Sequence, residues 1–281
     1  MHNFLKKYFP IFVLPTFAAF SISFLIPFLM GLYLSFMEFT TVSNARFTGL
    51  TNYIKAFTDN SYFLNSLRFT VKFTVVSVIT INLIAFVFAL LLTRGIRGTN
   101  IFRTVFFIPN LIGGIILGYI WQIIINGILG KFGVDITYNA NYGFFGLVIL
   151  LNWQLIGYMM IIYIAGLSNI PEDINESAAI DGASGLRKLF SVTLPMLMPS
   201  VTICTFLTLT NSFKLFDQNL ALTGGAPGKE TAMLALDIYQ TFYGRVGYEG
   251  VGQAKAVIFT IIVFAIALIQ LVATKKRETE S

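Results

Sequence analysis

Long apolar runs separated by short polar segments dominate the hydropathy pattern of this chain. A membrane-crossing helix needs about 20 consecutive apolar residues, and six runs of that order, each interrupted only by isolated charges, predict six membrane-spanning helices. The predicted spans cover residues 9–37, 69–92, 104–126, 142–166, 195–216 and 254–273. The pattern therefore predicts an all-α integral membrane protein that forms one transmembrane domain over residues 1–281.

Composition strengthens the membrane assignment. Apolar residues make up 56% of the chain and charged residues only 11%, compared with roughly 45–50% and about 25% in soluble domains. The mean hydropathy is +0.77. A soluble globular fold is thereby excluded.

The residue types that carry most hydrolytic and metal chemistry are nearly absent. The single cysteine, Cys204, lies in an apolar run, and the single histidine, His2, lies near the N-terminus. Ser/His/Asp and Cys/His catalysis both need an imidazole inside the fold, and zinc sites need several thiolates or imidazoles. We therefore expect no catalytic residue and no metal site, and a hydrolytic enzyme has little support.

Basic residues are concentrated in the short segments between alternate apolar runs. These segments hold Lys6, Lys7, Arg94, Arg97, Arg103, Arg187, Lys188, Lys275, Lys276 and Arg277. Because basic residues in short flanking segments favour the cytoplasmic side, both termini are predicted to be cytoplasmic. The loop 167–194 is then cytoplasmic, and the segments 38–68, 127–141 and 217–253 face outward. The net charge of +6 reflects this topology, and no basic–aromatic pattern points to a nucleic-acid partner.

Two short helices are predicted in the loop 167–194. Asn169 and Pro171 suit the start of a helix, as cap and early helical residue, and Gly182 suits its end. Ser184 can cap a second short helix, before Pro195 leads back into the membrane. On composition alone, this loop fits either a solvated connector or a docking surface for another protein.

Two features of the membrane segments are interpreted structurally. Gly114 and Gly118 form a GxxxG pattern, which favours close contact with another helix. Lys214 and Asp217, near the outer end of the fifth predicted span, fit either gate residues or charges that extend toward the membrane surface, and the second interpretation is preferred.

The loop between the fourth and fifth predicted spans resembles the EAA loop of permease subunits in ABC importers. That motif has a Glu-Ala-Ala core, then a glycine, then an Ile-x-Leu-Pro segment. Glu176, Ala178, Gly182, Leu194 and Pro195 match it, while Ser177 replaces the first alanine and Val192 the isoleucine. Further matches at 49–53, 107–109 and 222–228 are similar to the carbohydrate-importing group, which includes the larger permease subunit of the maltose importer.

The resemblance implies that the loop docks in a cleft of a cytoplasmic ATPase. The implied ATPase-coupling residues are Glu176, Ser177, Ala178, Ala179, Asp181, Gly182, Ala183, Leu194 and Pro195, with Glu176 paired to a basic residue of the ATPase. The chain contains no Gly-x-x-x-x-Gly-Lys-[Ser/Thr] phosphate loop, so it is expected to bind no cofactor itself, and ATP and Mg²⁺ would be bound by the partner. The implied partners in a prokaryotic cell membrane are a second homologous permease, two ABC ATPase copies, an extracellular solute-binding protein and membrane lipid.

Polar and aromatic residues at mid-membrane depth are the candidate substrate contacts. They are Asn110, Trp153, Gln154, Tyr158, Thr208, Asn211 and Ser212. Amides and hydroxyls hydrogen-bond a neutral polyol, and an aromatic face packs on its C–H surface. The same polar side chains also suit hydrogen bonding between membrane helices, so each fits either role.

The leading hypothesis is therefore a transport subunit, not an enzyme, that forms half of the pathway for a sugar, with an oligosaccharide as the expected cargo. One alternative is a permease for glycerol phosphate or another polar solute. A dedicated anion site would need several basic residues at mid-membrane depth, where the sequence offers few. Alternatives of another class are a membrane-embedded transferase and a passive channel.

Overall fold

A computed structural model describes residues 2–58, 62–95 and 97–278 of the chain. These residues fold almost entirely into helices and divide into two packing units. The first contains the described residues up to Phe63 together with Ile238–Thr260, and the second contains Leu64–Asp237 and the described residues from Ile261 onward.

The first unit begins with a long, nearly continuous helix. Helix α1 (His2–Phe20) passes through a π-helical turn, Ser21–Leu25, into α2 (Ile26–Leu34). The widened turn precedes Pro27, whose ring lacks an N–H and clashes with the carbonyl one turn earlier in an ordinary α-helix. The sequence at this point thus accounts for the break in the α-helical hydrogen-bond pattern.

A small hairpin and a short helix follow the first helix. Strands β1 (Met37–Glu38) and β2 (Arg46–Phe47) pair antiparallel around a 3₁₀ turn at Val42–Asn44, and α3 covers Thr51–Thr58. The Asn52 amide is buried and donates to the carbonyl oxygens of Ser35 at 3.0 Å and Met37 at 2.7 Å. These bonds hold α3 against the end of α2.

The second unit is built around α7. Helix α4 (Phe63–Leu92) is followed by α5 (Thr99–Phe107), a 3₁₀ turn (Ile108–Leu111), α6 (Gly114–Leu129), a second 3₁₀ turn (Gly130–Phe132) and α7 (Ala140–Ser168). Of the candidate membrane spans, α7 is the most buried. At Gly157 an added Cβ would overlap the carbonyl oxygen of Phe106, so only glycine allows α5 to pack this closely on α7.

The remaining elements are shorter until the last helix. They are α8 (Glu172–Ile180), α9 (Gly185–Lys188), a π-helical turn (Leu189–Thr193), α10 (Leu194–Met196), α11 (Met198–Phe213), α12 (Asp217–Leu222), α13 (Leu234–Gly244) and α14 (Glu249–Glu278).

Five helical segments of the described residues are long and apolar enough to cross a membrane: Ile11–Leu34, Phe63–Leu92, Gly114–Phe132, Ala140–Ser168 and Glu249–Val272. A sixth results if the helix pair Gly185–Met196 and Met198–Phe213, bent by 72°, counts as one span. The predicted span 104–126 is wrong as one continuous helix. Pro109 lies in a 3₁₀ turn, and extended backbone at Ile112 and Gly113 separates α5 from α6.

Candidate coupling loop and substrate pocket

The first helix of the loop 167–194 begins later than the sequence predicts. Helix α8 starts at Glu172, and Asn169 is not its cap. Instead Asn169 ends α7, with its N–H bonded to the carbonyls of Gly166 and Leu167. Glu172 and Asp173 occupy the first turn of α8, where negative charge favours the helix dipole.

Gly182 ends α8 as predicted. It adopts φ +72°, and the N–H of Ala183 donates to the carbonyl of Ala178 at 2.9 Å. This is the 6→1 hydrogen bond of a Schellman motif. Gly182 occupies the left-handed position of that motif, which strongly favours glycine. No atom lies within 4 Å of the position of an added Cβ, so the requirement at Gly182 is conformational and not steric.

The start of α9 differs in detail from the prediction. Ser184 occupies the position before the helix in extended conformation, but its hydroxyl makes no capping hydrogen bond. Gly185 follows with φ +52°. The turn between the two helices therefore depends on two glycines in the left-handed region, and the predicted serine cap is wrong.

The charged face of the loop is open to solvent. Glu176, Ser177, Asp181 and Gly182 are exposed, and Glu176 forms neither a hydrogen bond nor an ion pair within the part of the chain that the structure describes. The Ser177 hydroxyl donates to the carbonyl of Asp173 at 2.8 Å. The loop thus presents a carboxylate that is available to a partner.

A groove of about 380 Å³ lies between the two short helices. We call it the α8–α9 groove; it is lined by Ile174, Ser177, Ala178, Asp181, Ala183, Arg187, Ser191 and Val192. Four of the nine predicted coupling residues therefore meet there. Leu194 and Pro195 lie outside the groove in α10, and the side chain of Ala179 lies outside the described part of the structure.

Three large apolar side chains of the loop are exposed. Ile180 is 86% exposed, Leu186 72% and Phe190 63%. The motif match predicts neither these three residues nor Arg187 in the groove, because it covers the motif positions and not exposed apolar side chains. Such exposed apolar groups are typical of a surface that another protein covers.

A second cavity, also of about 380 Å³, lies within the second unit. We call it the polar pocket; it is lined by Asn110, Leu151, Gln154, Leu155, Asn211, Lys214, Leu215, Phe216, Asp217 and Gln218. Three of the seven predicted substrate residues, Asn110, Gln154 and Asn211, meet there.

An amide pair links two walls of the polar pocket. Gln218 Nε2 donates to Gln154 Oε1 at 2.8 Å, and Gln154 Nε2 lies 3.5 Å from the carbonyl oxygen of Ile112. The bond joins α12 to α7 across 64 residues of sequence. Gln218 was missed in the sequence analysis because its segment was assigned to an outer loop.

The pocket also changes the interpretation of two charges. Lys214 and Asp217 both line the pocket, where the preferred prediction had them extend toward the membrane surface and the alternative made them gate residues. Helix α11 ends at Phe213 and α12 starts at Asp217. This helix break brings both side chains to the pocket wall.

The other four predicted substrate residues do not line the pocket. Trp153 packs edge-on against Trp121, with ring centroids 5.7 Å apart, and Tyr158 packs against Phe107 at 6.3 Å. Successive residues of a helix differ by about 100° in direction, so Trp153 does not share the face of its neighbour Gln154.

Thr208 and Ser212 are fully buried between helices. The Thr208 hydroxyl donates to the carbonyl of Cys204 at 2.6 Å and accepts from Asn82 Nδ2 at 3.3 Å. Tyr163 in turn donates to Asn82 Oδ1 at 2.9 Å. Thr208 therefore belongs to a network that connects α4, α7 and α11.

Helix α12 is held closely on α6. A Cβ added at Gly114 would lie 2.7 Å from Cβ of Asp217, and one at Gly118 would lie 2.6 Å from Cβ of Ala221. The close contact predicted from the GxxxG pattern is confirmed, and its partner is the helix that forms a wall of the polar pocket.

The chain beyond α12 is fixed by buried hydrogen bonds around Asn219. Its amide nitrogen donates to Thr223 Oγ1 at 3.0 Å and to the carbonyl of Thr231 at 2.9 Å, and its oxygen accepts from the N–H of Met233 at 2.9 Å. Both N–H donors of this amide and its oxygen are thus hydrogen-bonded to neighbouring backbone and side-chain atoms, which stabilises the far end of the pocket wall.

Apolar spans, a polar pocket and an exposed two-helix loop together define a membrane transport subunit. Residues 94–277 match the family described as "Binding-protein-dependent transport system inner membrane component", and the chain belongs to this family. It is an integral inner-membrane permease subunit of an ABC transporter, the class of importer that works with a solute-binding protein, and it is not an enzyme.

Relatives and solved structures resemble the chain over nearly its whole length. It is 44% identical over 279 residues to the probable starch degradation products transport system permease protein AmyD of Thermoanaerobacterium thermosulfurigenes, covering 96% of this chain and 94% of the relative. It is 31% identical to the multiple sugar-binding transport system permease protein MsmF of Streptococcus mutans, covering 91% of each. A chain of a bacterial ABC transporter involved in the import of the acidic polysaccharide alginate shares the fold, with TM-score 0.81 and 18% identity over 98% of both chains.

Proposed function

We propose that the chain forms half of the translocation pathway of an ATP-driven importer whose cargo is an oligosaccharide delivered by an extracellular solute-binding protein. The observation that carries the proposal is the EAA-like loop, which ends α8 at Gly182 and exposes Glu176. Similarity to permeases named for starch degradation products and multiple sugars supports the cargo class.

Coupling to ATP runs through the loop 167–194. A cytoplasmic ATPase covers the α8–α9 groove, Glu176 pairs with a basic residue of that ATPase, and the exposed Ile180 and Leu186 add apolar contact. When two ATPase subunits close on ATP, the loop moves with them. Helices α7 and α11 flank the loop in the chain, so they transmit this movement to the membrane, as a ligand-driven equilibrium between two states requires.

The proposed assembly contains four membrane-associated chains. A second homologous permease completes the pathway, and two ATPase copies bind ATP and Mg²⁺, because this chain carries no phosphate loop. Six spans with both termini in the cytoplasm, in the cell membrane of a prokaryote, are consistent with the density of basic residues in the short segments.

The polar pocket suits a neutral, hydroxyl-rich solute. Four side-chain amides line it, from Asn110, Gln154, Asn211 and Gln218, and amides both donate to and accept from hydroxyl groups. The pocket contains one lysine and one aspartate, Lys214 and Asp217, so its two formal charges offset each other. Both features favour a sugar over an anion.

A permease for glycerol phosphate or another anionic solute is the second candidate, because Lys214 lines the pocket. Phosphate sites in proteins generally combine several donors or cations. Competition of uptake by the phosphorylated solute, with loss of that competition in Lys214→Gln, would favour this candidate over the sugar importer.

Isolation of the transporter from its native membrane tests the assembly. The chain is tagged, the membranes are solubilised gently, and co-purifying proteins are identified by mass spectrometry. We expect a second permease, an ABC ATPase and a solute-binding protein, whose ligand then identifies the cargo. Recovery of the chain alone, under conditions that preserve such complexes, together with solute flux that needs no ATP, would instead support a passive channel.

A further inference from the structure

Helix α3 has an exposed apolar side and a buried polar residue, the reverse of an ordinary surface helix. Its side toward the protein carries a polar residue, Asn52, with Ala56 buried beside it, whereas Ile54 and Phe57 are 61% and 46% exposed. The apolar side of a surface helix normally faces the core. The exposed apolar side of α3 therefore needs another explanation.

The side chains around α3 divide into three sectors. At about 100° per residue, counted from Leu50 directly before the helix, Leu50, Ile54 and Phe57 fall in one sector about 60° wide, and all three are exposed. Thr51, Lys55 and Thr58 fall in the next sector, which is polar and at least partly exposed. Asn52, Tyr53 and Ala56 fall in the sector that faces the protein. The helix thus has one face for protein, one apolar face and one polar face.

Both ends of α3 are tied to the ends of membrane spans. The Tyr53 hydroxyl is hydrogen-bonded to Ser35 Oγ at 2.7 Å, one residue beyond the first candidate span, Ile11–Leu34. The Phe57 ring packs edge-on against Phe63, with centroids 5.4 Å apart, and Phe63 is the first residue of the next candidate span. Helix α3 is therefore tied to the end of the first candidate span and to the residue at which the next one begins.

We propose that α3 is an interfacial helix, whose apolar sector enters the boundary between lipid headgroups and acyl chains while Thr51, Lys55 and Thr58 face water and headgroups. A helix lying in that boundary places apolar side chains into the acyl region and keeps a charged or polar face outward. The sector Leu50, Ile54 and Phe57 contains no hydrogen-bonding side chain, which suits lipid tails. The tethers at Ser35 and Phe63 hold this short helix there, so its apolar sector does not have to anchor it alone.

The occupant is identified as lipid by this continuity with the spans and by the order of the sectors. The inference depends on the membrane-spanning helices and not on the cargo, so it stands or fails independently of the oligosaccharide proposal. The experiment must distinguish lipid on this apolar sector from a protein partner, either the solute-binding protein or the second permease.

Nitroxide accessibility in the intact transporter, reconstituted in lipid nanodiscs, tests the proposal. Cys204→Ser removes the native thiol, and single cysteines are introduced by Ile54→Cys in the apolar sector and by Thr51→Cys in the polar sector. Both positions are exposed, and Thr51→Cys removes only a local hydrogen bond from the Thr51 hydroxyl to the carbonyl of Thr48 at 2.8 Å. Leu50→Cys and Lys55→Cys give a second pair if either labelled protein is unstable.

We expect the label at position 54 to collide with dissolved oxygen far more than with a water-soluble nickel chelate, and the label at 51 to show the reverse preference. Equal nickel accessibility at 54 and 51 would overturn the proposal in favour of a solvent-facing helix. Shielding of position 54 from both reagents would overturn it in favour of a protein partner. Repeating the measurement without the solute-binding protein then identifies whether that protein or the second permease covers it.

Discussion

The loop 167–194 and the polar pocket differ in where their polar groups find partners. In the loop, Glu176 is exposed and makes no hydrogen bond or ion pair with described residues. In the pocket, Gln154 and Gln218 bond to each other. The loop thus leaves a charged group open to a partner, which we propose is the ATPase, whereas hydrogen bonds within the chain hold the pocket wall together.

The largest loss of transport activity is expected at Glu176, whose proposed partner lies on the ATPase. In Glu176→Lys, the proposed ion pair with the ATPase becomes a repulsion. Loss of one partner of a buried pair costs about 3–5 kcal/mol, so we expect ATPase association and sugar-stimulated ATP hydrolysis in proteoliposomes to fall by roughly 100-fold or more.

Glu172→Lys is the matched control for this variant. It reverses the same charge one turn earlier on the same exposed helix, and we expect most of the activity to remain. Normal sugar-stimulated hydrolysis in Glu176→Lys would remove Glu176 from the coupling role. Equal loss in both variants would indicate a general effect of loop charge.

Gly182 tests the shape of the loop without touching its charges. Placing alanine in the left-handed region costs about 1–2 kcal/mol, so Gly182→Ala should change the direction of α9 and reduce coupled uptake by roughly 5- to 30-fold. Gly182→Asn, whose side chain tolerates this conformation, should retain more activity. Identical uptake in the alanine and asparagine variants would argue against a role for the backbone conformation.

The amide bridge tests the self-contained wall of the pocket. Gln154→Leu leaves Gln218 with an unpaired amide, at a cost of about 1–3 kcal/mol if the site stays dry, and we expect a several-fold higher KM for uptake. The double variant Gln154→Glu with Gln218→Lys replaces the bridge with an ion pair and should have a lower KM than Gln154→Glu or Gln218→Lys alone. A KM in the double variant as high as in either single variant would show that the bridge does not position the wall.

The smallest effect on uptake is expected at Thr208. Its hydroxyl bonds within the helix bundle and not into the pocket, so Thr208→Val should leave KM nearly unchanged and lower thermal stability slightly, since such bonds in membranes average about 0.6 kcal/mol. Asn211→Leu, one helical turn nearer the pocket, should raise KM. A larger KM change in Thr208→Val than in Asn211→Leu would place the substrate elsewhere.

Features of the loop that depend on local sequence were predictable, whereas pocket features that depend on distant contacts were not. The end of α8 at Gly182 was predictable because a helix often ends with a residue in the left-handed conformation, and that residue is usually glycine. Gln218 was not, because its role depends on a hydrogen bond to Gln154, 64 residues away. Depth in the membrane selected Trp153 together with Gln154, but depth does not give the direction of a side chain around a helix.

Local signals also mislead where two of them compete. Asn169 and Pro171 both suit a helix start, yet Asn169 lies directly after the long α7 and is used to end it. Hydropathy predicted a third span from residue 104, but Pro109 and Gly113 interrupt the helix. Apolarity over a window does not register a break that one proline imposes on backbone hydrogen bonding.

Site-specific cross-linking tests whether the loop 167–194 contacts the ATPase. In the assembled transporter with Cys204→Ser, a photoactivatable probe is attached through Ser177→Cys, in the α8–α9 groove, and through Thr137→Cys, in the segment predicted to face outward. We predict that only the probe at 177 cross-links the ATPase, and that the yield changes when ATP is added. An ATPase cross-link at 137, or none at 177 in an actively transporting complex, would contradict the account.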